Sequence, residues 1–433
     1  MVVAPTAKVN WSSNYRCGIM EKTIVILATM DTKGEHVHYI RELIRKRGHR
    51  SIVIDIGVLG IPFFKPDILR EDVAAAAGVK LQEIVRSLDR ERAMRVMSIG
   101  AARIVKNRYI NGELDGIIGI GGNQGTAVST YAMRAIPIGV PKLVVSTVAS
   151  GNVHQFVSDR DITMMFSVTN MVGEPNFIIK PILANAAGAI VGMVEMNVRM
   201  QVPSRRKVIG VTAFGNINPA VLAVRELLAQ SKYEVVVFHG SGGSGMAMEE
   251  LIDQGVIKGV VDLVTHEVIG EIFEEDTYAP VRSGRLEAAG RRGIPQVIAP
   301  GGLDYFVFAE PRTIPPKYRD RKIHIHNPYN SNVRTSKEEM RIIGKVLATK
   351  VNKAKGPIAV IIPLKGFSEY GKEGGELYDP EADMLFIKTL SKHVKSNVQV
   401  VEVDANINDP IFAEKAVSIL IDLMKNYQGV KER

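Results

Sequence analysis

The chain has 433 residues, 46% hydrophobic and only 6% aromatic, with 55 Lys and Arg against 46 Asp and Glu for a formal net charge of +9. That length exceeds one ordinary core, and a Gly-, Ala-, Val- and Ile-rich composition suits several α/β domains with buried parallel strands. A single cysteine, Cys17, excludes an intrachain disulfide and a Cys-based zinc site, and basic residues dispersed without interleaved aromatics argue against nucleic acid as a partner.

Residues 1–19, with Trp11 and Cys17, have no apolar periodicity and lack the regions of a signal peptide, so they read as a loose extension. No apolar run reaches the length of a membrane span, and the expected location is cytoplasmic. The folded pattern starts at Met20. "TIVILAT" is a buried strand, "GEHVHYIRELIRKRG" an amphipathic helix closing on Gly48, and "SIVIDIG" a second strand. "LDGIIGIGG" leads into the helix "GTAVSTYAMRAI", and "PKLVVSTVA" follows as a strand. The polar break "QVPSRRK" divides a domain of residues 20–203 from one of 204–433. There "KVIGVTAFGNINPAVLAVRELLAQ" and "YEVVVFHGSGGSGMAMEELIDQG" each give strand, glycine turn and helix. "GVVDLVT", "IPQVIAPGG", "PIAVIIPLKG" and "VQVVEVDA" add further strands. The expected class is α/β: two Rossmann-like domains, each a mostly parallel sheet flanked by helices, with ligands beyond the carboxyl ends of the strands.

The candidate chemistry falls at such ends. Gly121, Gly122 and Gly125, with Thr126, crowd a strand-to-helix turn, where glycine permits positive φ or close approach of a ligand and free N–H groups face an anion. Asp31, Thr32 and Lys33 end the first strand; the hydroxyl and the lysine suit phosphate and Asp31 suits Mg²⁺, although helix capping explains them equally well. Asp55 stands where such sheets hold a ribose hydroxyl, or is a turn aspartate. Thr147, Ser150 and Gly151 form a third hydroxyl-rich end. Gly240, Gly242 and Gly245 make a G-x-G-x-x-G with Asp262 ending the next strand, a candidate second anion site. His324, His326 and Arg334 are candidates for binding a substrate there. The "GFSEYGKEGGELYDPEAD" stretch is either a lid or an acidic helix start.

"ATMDTKGEH", "GIIGIGGNQGT", "PIGVPKLVVSTVASG", "VFHGSGGSGMAMEELI", "RKIHIHN…RT" and "LYDPEAD", in this order, resemble one family. It is that of the N-terminal ATP-binding domain of the plant tomato mosaic virus resistance protein and its uncharacterised microbial relatives. The resemblance runs from about Thr23 to near the C-terminus. It implies two α/β domains, ATP in the first and a homodimer. Asp31, Thr32, Lys33, Gly121, Gly122, Gly125, Thr126, Thr147, Ser150, Gly151 and Asp161 match its pattern, whereas Asn123, Gln124 and His266 depart from it. The leading expectation is an ATP- and Mg²⁺-binding protein, with phosphoryl transfer or ligation on a small metabolite in the second domain. A nucleotide-dependent protein-binding module and a nicotinamide-dependent oxidoreductase are the alternatives.

Overall fold

A computed structural model describes residues 20–196, 198, 200, 202–203 and 205–427. The extension expected over 1–19 lies outside the described residues. The chain divides into two compact units, one ending at Met200 and the other beginning beyond it, with Ser158–Arg160 grouped with the second.

The first unit is built on β1 (Thr23–Ala28), β2 (Arg50–Asp55), β3 (Gly116–Gly121), β4 (Lys142–Ser146) and β5 (Thr163–Phe166), all parallel in the order β2-β1-β3-β4-β5. Every residue of β3 and β4 is buried, as the apolar runs require for strands covered on both faces. One face packs Val25, Ile54 and Ile117 under the helices Arg70–Ala76 and Arg90–Ile110; the other packs Ile26, Ile118 and Val145 under Met30–Lys46 and Ile179–Met196. Ile179–Met196 is long and apolar enough to cross a membrane by composition, but Leu183, Ala186, Ile190 and Val194 are buried in this core. Ala28 pairs with Asp55 and Ile120, and Gly121 with Ser146, so the carboxyl ends share one edge. The chain order reverses between β1 and β3, the place where open α/β sheets take ligands.

The second unit repeats this plan with β6 (Val208–Ala213), β7 (Glu234–His239), β8 (Ile257–Val264) and β9 (Gln296–Gly301). An excursion follows through β10 (Tyr305–Phe308), β11 (Ile323–Asn327) and β12 (Asn330–Arg334), and the chain then returns to the main sheet with β13 (Ile358–Pro363) and β14 (Gln399–Val403). The main sheet is parallel in the order β14-β13-β9-β8-β6-β7, with its switch point between β6 and β8. β10, β12 and β11 form a separate antiparallel sheet, the part of the architecture that the reading of alternating strands and helices did not contain.

Candidate functional site

At the carboxyl edge of the first sheet the glycines have different reasons to be glycine. A Cβ on Gly119 would lie 2.7 Å from Ser129 Cβ, and one on Gly121 would lie 2.8 Å from the backbone of Gly125. Both residues therefore let the helix Asn123–Met133 approach its strand. Gly122 is different: its nearest neighbour would be Thr147 Oγ1 at 3.6 Å, an ordinary contact. Of the two reasons the sequence offers for these glycines, positive φ does not apply: no glycine from Gly116 to Gly125 has one. Gly122 is the N-cap, with φ −83° and no side chain capping the helix. The first bond of that turn runs from Thr126 N to the Gly122 carbonyl at 2.8 Å. The amides of Asn123, Gln124 and Gly125 are thus left at the helix start without an intrahelical acceptor.

Thr29 and Thr32 share a 2.9 Å hydroxyl contact at the end of β1, and the Asp31 carboxylate makes no hydrogen bond among the described residues. These groups, with Gly122 and Thr147, end the adjacent strands β1, β3 and β4. Ser150 and Gly151 lie exposed in the turn beyond them.

Other predicted residues turn inward. Lys33 is buried with Nζ donating to the Met171 carbonyl at 2.7 Å, and burial lowers its pKa against the pull of Asp31. Asp55 is fully buried; it accepts from the Met30 and Gly57 amides at 3.1 and 2.9 Å and pairs with Arg70 at 2.7 Å. Its carboxylate is committed to the first helix start and to that arginine, not to a ribose. Thr126 Oγ1 is spent on Ser146 Oγ at 2.6 Å. Asp161 bonds Gly139 N and Lys142 Nζ at 2.7 and 2.8 Å, holding the segment that enters β4.

In the second unit the G-x-G-x-x-G turn is already filled. Gly242, at φ +93°, donates its N–H to Glu267 Oε1 at 2.7 Å at the start of the helix Gly243–Asp253. A Cβ on Gly245 would fall 2.6 Å from the Glu267 carboxyl carbon, and one on Gly240 would fall 2.7 Å from Val264. The chain's own carboxylate therefore sits where the sequence suggests a ligand's anion. Fully buried Arg285 binds Glu267 through Nε and Asp262 through both Nη atoms at 2.7 Å. It also reaches Glu249 at 3.2 Å. Desolvation raises the pKa of Glu249 against the pull of Arg285, while its two oxygens accept from Arg285 and from the amides of Leu286, Glu287 and Ala288. Asp262 belongs to this ion cluster. Arg334 also is buried: Nη1 donates to the Asp304 carbonyl at 2.8 Å and Nη2 to Asp383 Oδ1 at 2.6 Å, apart from His324 and His326.

Sequence reasoning did not assemble the aromatic and imidazole wall at the carboxyl edge of this second sheet. The Phe214 ring lies 5.2 Å from those of His239 and His266 and 5.8 Å from Tyr278. Tyr305 lies 5.4 Å from His266 and 6.2 Å from Tyr370, which stacks on His324 at 3.8 Å. Asn216 bonds the Tyr305 hydroxyl at 2.9 Å, and Asn330 bonds that of Tyr278 at 3.1 Å. His266 Nδ1 meets the Gly302 carbonyl at 2.6 Å and Nε2 meets Asp276 at 3.2 Å. Two acceptors require two ring protons. Burial alone would lower its pKa, but Asp276 and the hydrogen bonds raise it, so an imidazolium–carboxylate pair lies beneath the wall. Desolvation lowers the pKa of His239 against the pull of Glu267. The signal legible in advance was only that Phe214 and His239 immediately follow or end strands.

No group of three or more His, Cys, Asp or Glu is placed to hold a metal ion among the described residues. The fold defines a two-unit α/β protein with a Rossmann-like parallel sheet in each unit. The chain belongs to the uncharacterised protein family UPF0261: its N-terminal domain model matches residues 22–199 and its C-terminal domain model residues 206–424. A UPF0261 protein of Clostridium tetani is 42% identical over 411 residues, 94% of this chain and all of that one. The ToMV resistance protein Tm-1(GCR237) of Solanum lycopersicum is 36% identical over 328 residues, 73% of this chain and 43% of that protein. An S. aureus MnaA–UDP structure covers 96% of this chain and 99% of that one at 9% identity, with a TM-score of 0.21, too low to say anything of this chain.

Proposed function

We propose that the first unit binds ATP as its Mg²⁺ complex and that the second holds a small metabolite for ATP-dependent phosphoryl transfer or ligation. The observation that carries this reading is Gly122, which caps a helix at the switch point with no internal packing that demands glycine. A phosphate against Gly122 would receive the amides of Asn123, Gln124 and Gly125, where the helix dipole also favours an anion. The hydroxyls of Thr29, Thr32 and Thr147 would take further oxygens, and the Asp31 carboxylate, which makes no hydrogen bond among the described residues, suits a hard cation beside them. When bound, the nucleotide supplies a transferable phosphoryl group; these residues position it and offset its charge. A homodimer is part of the same reading. The exposed side chains of Ile61, Phe63, Val172 and Phe177 on the first unit support it by offering apolar surface to a second copy.

The test is ligand-dependent melting. A ligand that binds only the native state stabilises it by mass action, so millimolar Mg²⁺-ATP is expected to raise the melting temperature more than NADH does. Stabilisation by NADH with ATP inert would replace this reading with the oxidoreductase one.

A further inference from the structure

We propose that the second unit carries a proton-transfer centre. In it, His324 Nε2 takes a proton from the carbon beside the carbonyl of a small uncharged hydroxy-carbonyl compound, while the Tyr370 phenol faces the carbonyl oxygen. This rests on the reading that the second unit holds a small metabolite, but it requires no nucleotide.

The geometry starts from Glu376, whose Oε2 lies 2.5 Å from His324 Nδ1. A carboxylate there accepts the Nδ1 proton and fixes the tautomer, so the lone pair is on Nε2. This is the arrangement of a base oriented by a third group. The His324 ring stacks on Tyr370 with centroids 3.8 Å apart and planes inclined by 27°. The Tyr370 hydroxyl lies 3.0 Å from His326 Nδ1; with the Nδ1–H tautomer donating to it, the phenol keeps its one proton for the substrate oxygen. Burial, and then Glu369 and Glu376, raise the pKa of Tyr370, so it remains a neutral hydrogen-bond donor. An imidazole and a phenol are thus held side by side, the imidazole oriented by Glu376.

The segment bearing Tyr370 and Glu376 begins at the carboxyl end of β13, on the ligand side of the parallel sheet, and its backbone is anchored. Asn406 Nδ2 donates to the carbonyls of Lys365, Gly366 and Ser368 at 3.1–3.2 Å. Ser368 Oγ accepts from Gly371 N at 3.0 Å and donates to Asp304 at 2.6 Å. It is a fixed platform, not a lid.

The substrate class follows from the surrounding charges. Glu369 and Glu376 are acidic, while Lys372 is bound to Glu369 at 2.5 Å and Lys322 to the Tyr378 carbonyl. The other polar side chains of the wall are the imidazoles of His239, His266 and His326, of which His266 is already paired with Asp276, the amides of Asn216 and Asn330, and the Tyr hydroxyls. A phosphate or carboxylate would face like charge, whereas hydroxyls and a carbonyl would find neutral partners. In the step, the C–H bond breaks and its electron pair forms a carbon–carbon double bond. The carbonyl π electrons move to oxygen, where the Tyr370 proton hydrogen-bonds them. The abstracted proton passes to His324, paired with Glu376, exchanges there with solvent, and a proton from His324 returns to carbon, so nothing is oxidised or reduced.

The experiment follows deuterium incorporation from D₂O into dihydroxyacetone, glycolaldehyde and glyceraldehyde by proton NMR, using the full chain. The wild type is expected to accelerate exchange in at least one probe. His324→Gln should lose about 100-fold or more of that rate, within the range for general base catalysis, and Tyr370→Phe about tenfold. Glu376→Gln, a positioning change, should shift the ¹⁵N tautomer signature of His324 as well as slow exchange. Absence of exchange in all three probes, or unchanged exchange in His324→Gln, overturns the proposal. Melting with Mg²⁺-ATP on the same samples separates the two readings: an ATP shift without exchange removes only this one.

Discussion

Gly245→Ala tests whether the second glycine turn is closed by the chain itself. The new methyl carbon would lie 2.6 Å from the Glu267 carboxyl carbon and well inside contact of both oxygens. Ordinary contact begins near 3.4 Å, so the carboxylate must retreat by about 1 Å. It has nowhere favourable to go, being fully buried between Arg285 and the Gly242 amide. Overpacking costs about 1–3 kcal/mol, and breaking a buried ion pair about 3–5 kcal/mol. Replacing a helical glycine by alanine returns up to about 1 kcal/mol. A net loss of about 3 kcal/mol is expected, or about 6–12 °C in the melting of a unit this size. Urea unfolding and calorimetry read it, and a double-mutant cycle with Glu267→Ala should show strong coupling. If Gly245→Ala unfolds within about 0.5 kcal/mol of wild type, then Glu267 does not occupy the turn, which is open to a ligand.

Arg285→Met leaves Asp262, Glu249 and Glu267 buried without their cation. It should cost at least about 3–5 kcal/mol, and a soluble variant with an unchanged urea midpoint would contradict the ion cluster. His36 in the first unit and Asp383 in the second should contribute oppositely to the pH dependence of stability. His36, buried beside Lys33, has its pKa lowered to about 4 by burial and then by that lysine. Its contribution is present above the unfolded value of about 6.5 and is lost as pH falls toward 4. Asp383 is pushed up to about 7, chiefly by burial and despite Arg334. Its contribution is present below about 3.9 and is lost as pH rises through 7. Calorimetry from pH 4 to 7 should find His36→Gln flattening the rise in stability of one transition and Asp383→Asn flattening the fall of the other.

The parallel strands were legible because each fully covered strand is a short apolar run bounded by turns: "GIIGIG" and "IAVIIP" are buried at every position. What sequence could not reveal was which polar residue meets which. Glu267 enters the glycine turn from 25 residues beyond Gly242, and the signature of such a turn is the same whether its anion is a phosphate or a carboxylate. Arg334 and Asp55 looked like ligands for the same reason: a charged side chain at a strand end serves an external partner or an internal one, and the partner is set by long-range packing. Arg334 finds Asp383, 49 residues away, and Asp55 finds Arg70. The wall from Phe214 to Tyr370 draws single aromatics from separate connections, which no local spacing brings together. The opening glycines were half legible. Gly121 proves to be glycine for helix packing, whereas Gly122 and Gly125 would each meet only an ordinary contact at 3.6 Å.

Titration calorimetry of Mg²⁺-ATP against wild type and Gly122→Ala, with the unliganded melting temperature of each, tests the central claim most directly. A Cβ there meets only Thr147 Oγ1 at 3.6 Å, at φ −83°, so the unliganded protein should melt within about 2 °C of wild type. The same Cβ would stand where phosphate approaches the backbone, and affinity should fall at least about tenfold, roughly 1.4 kcal/mol. Gly121→Ala, with its Cβ 2.8 Å from the Gly125 backbone, should instead lose stability. Normal ATP affinity in Gly122→Ala, or no ATP binding by the wild type, would contradict the account.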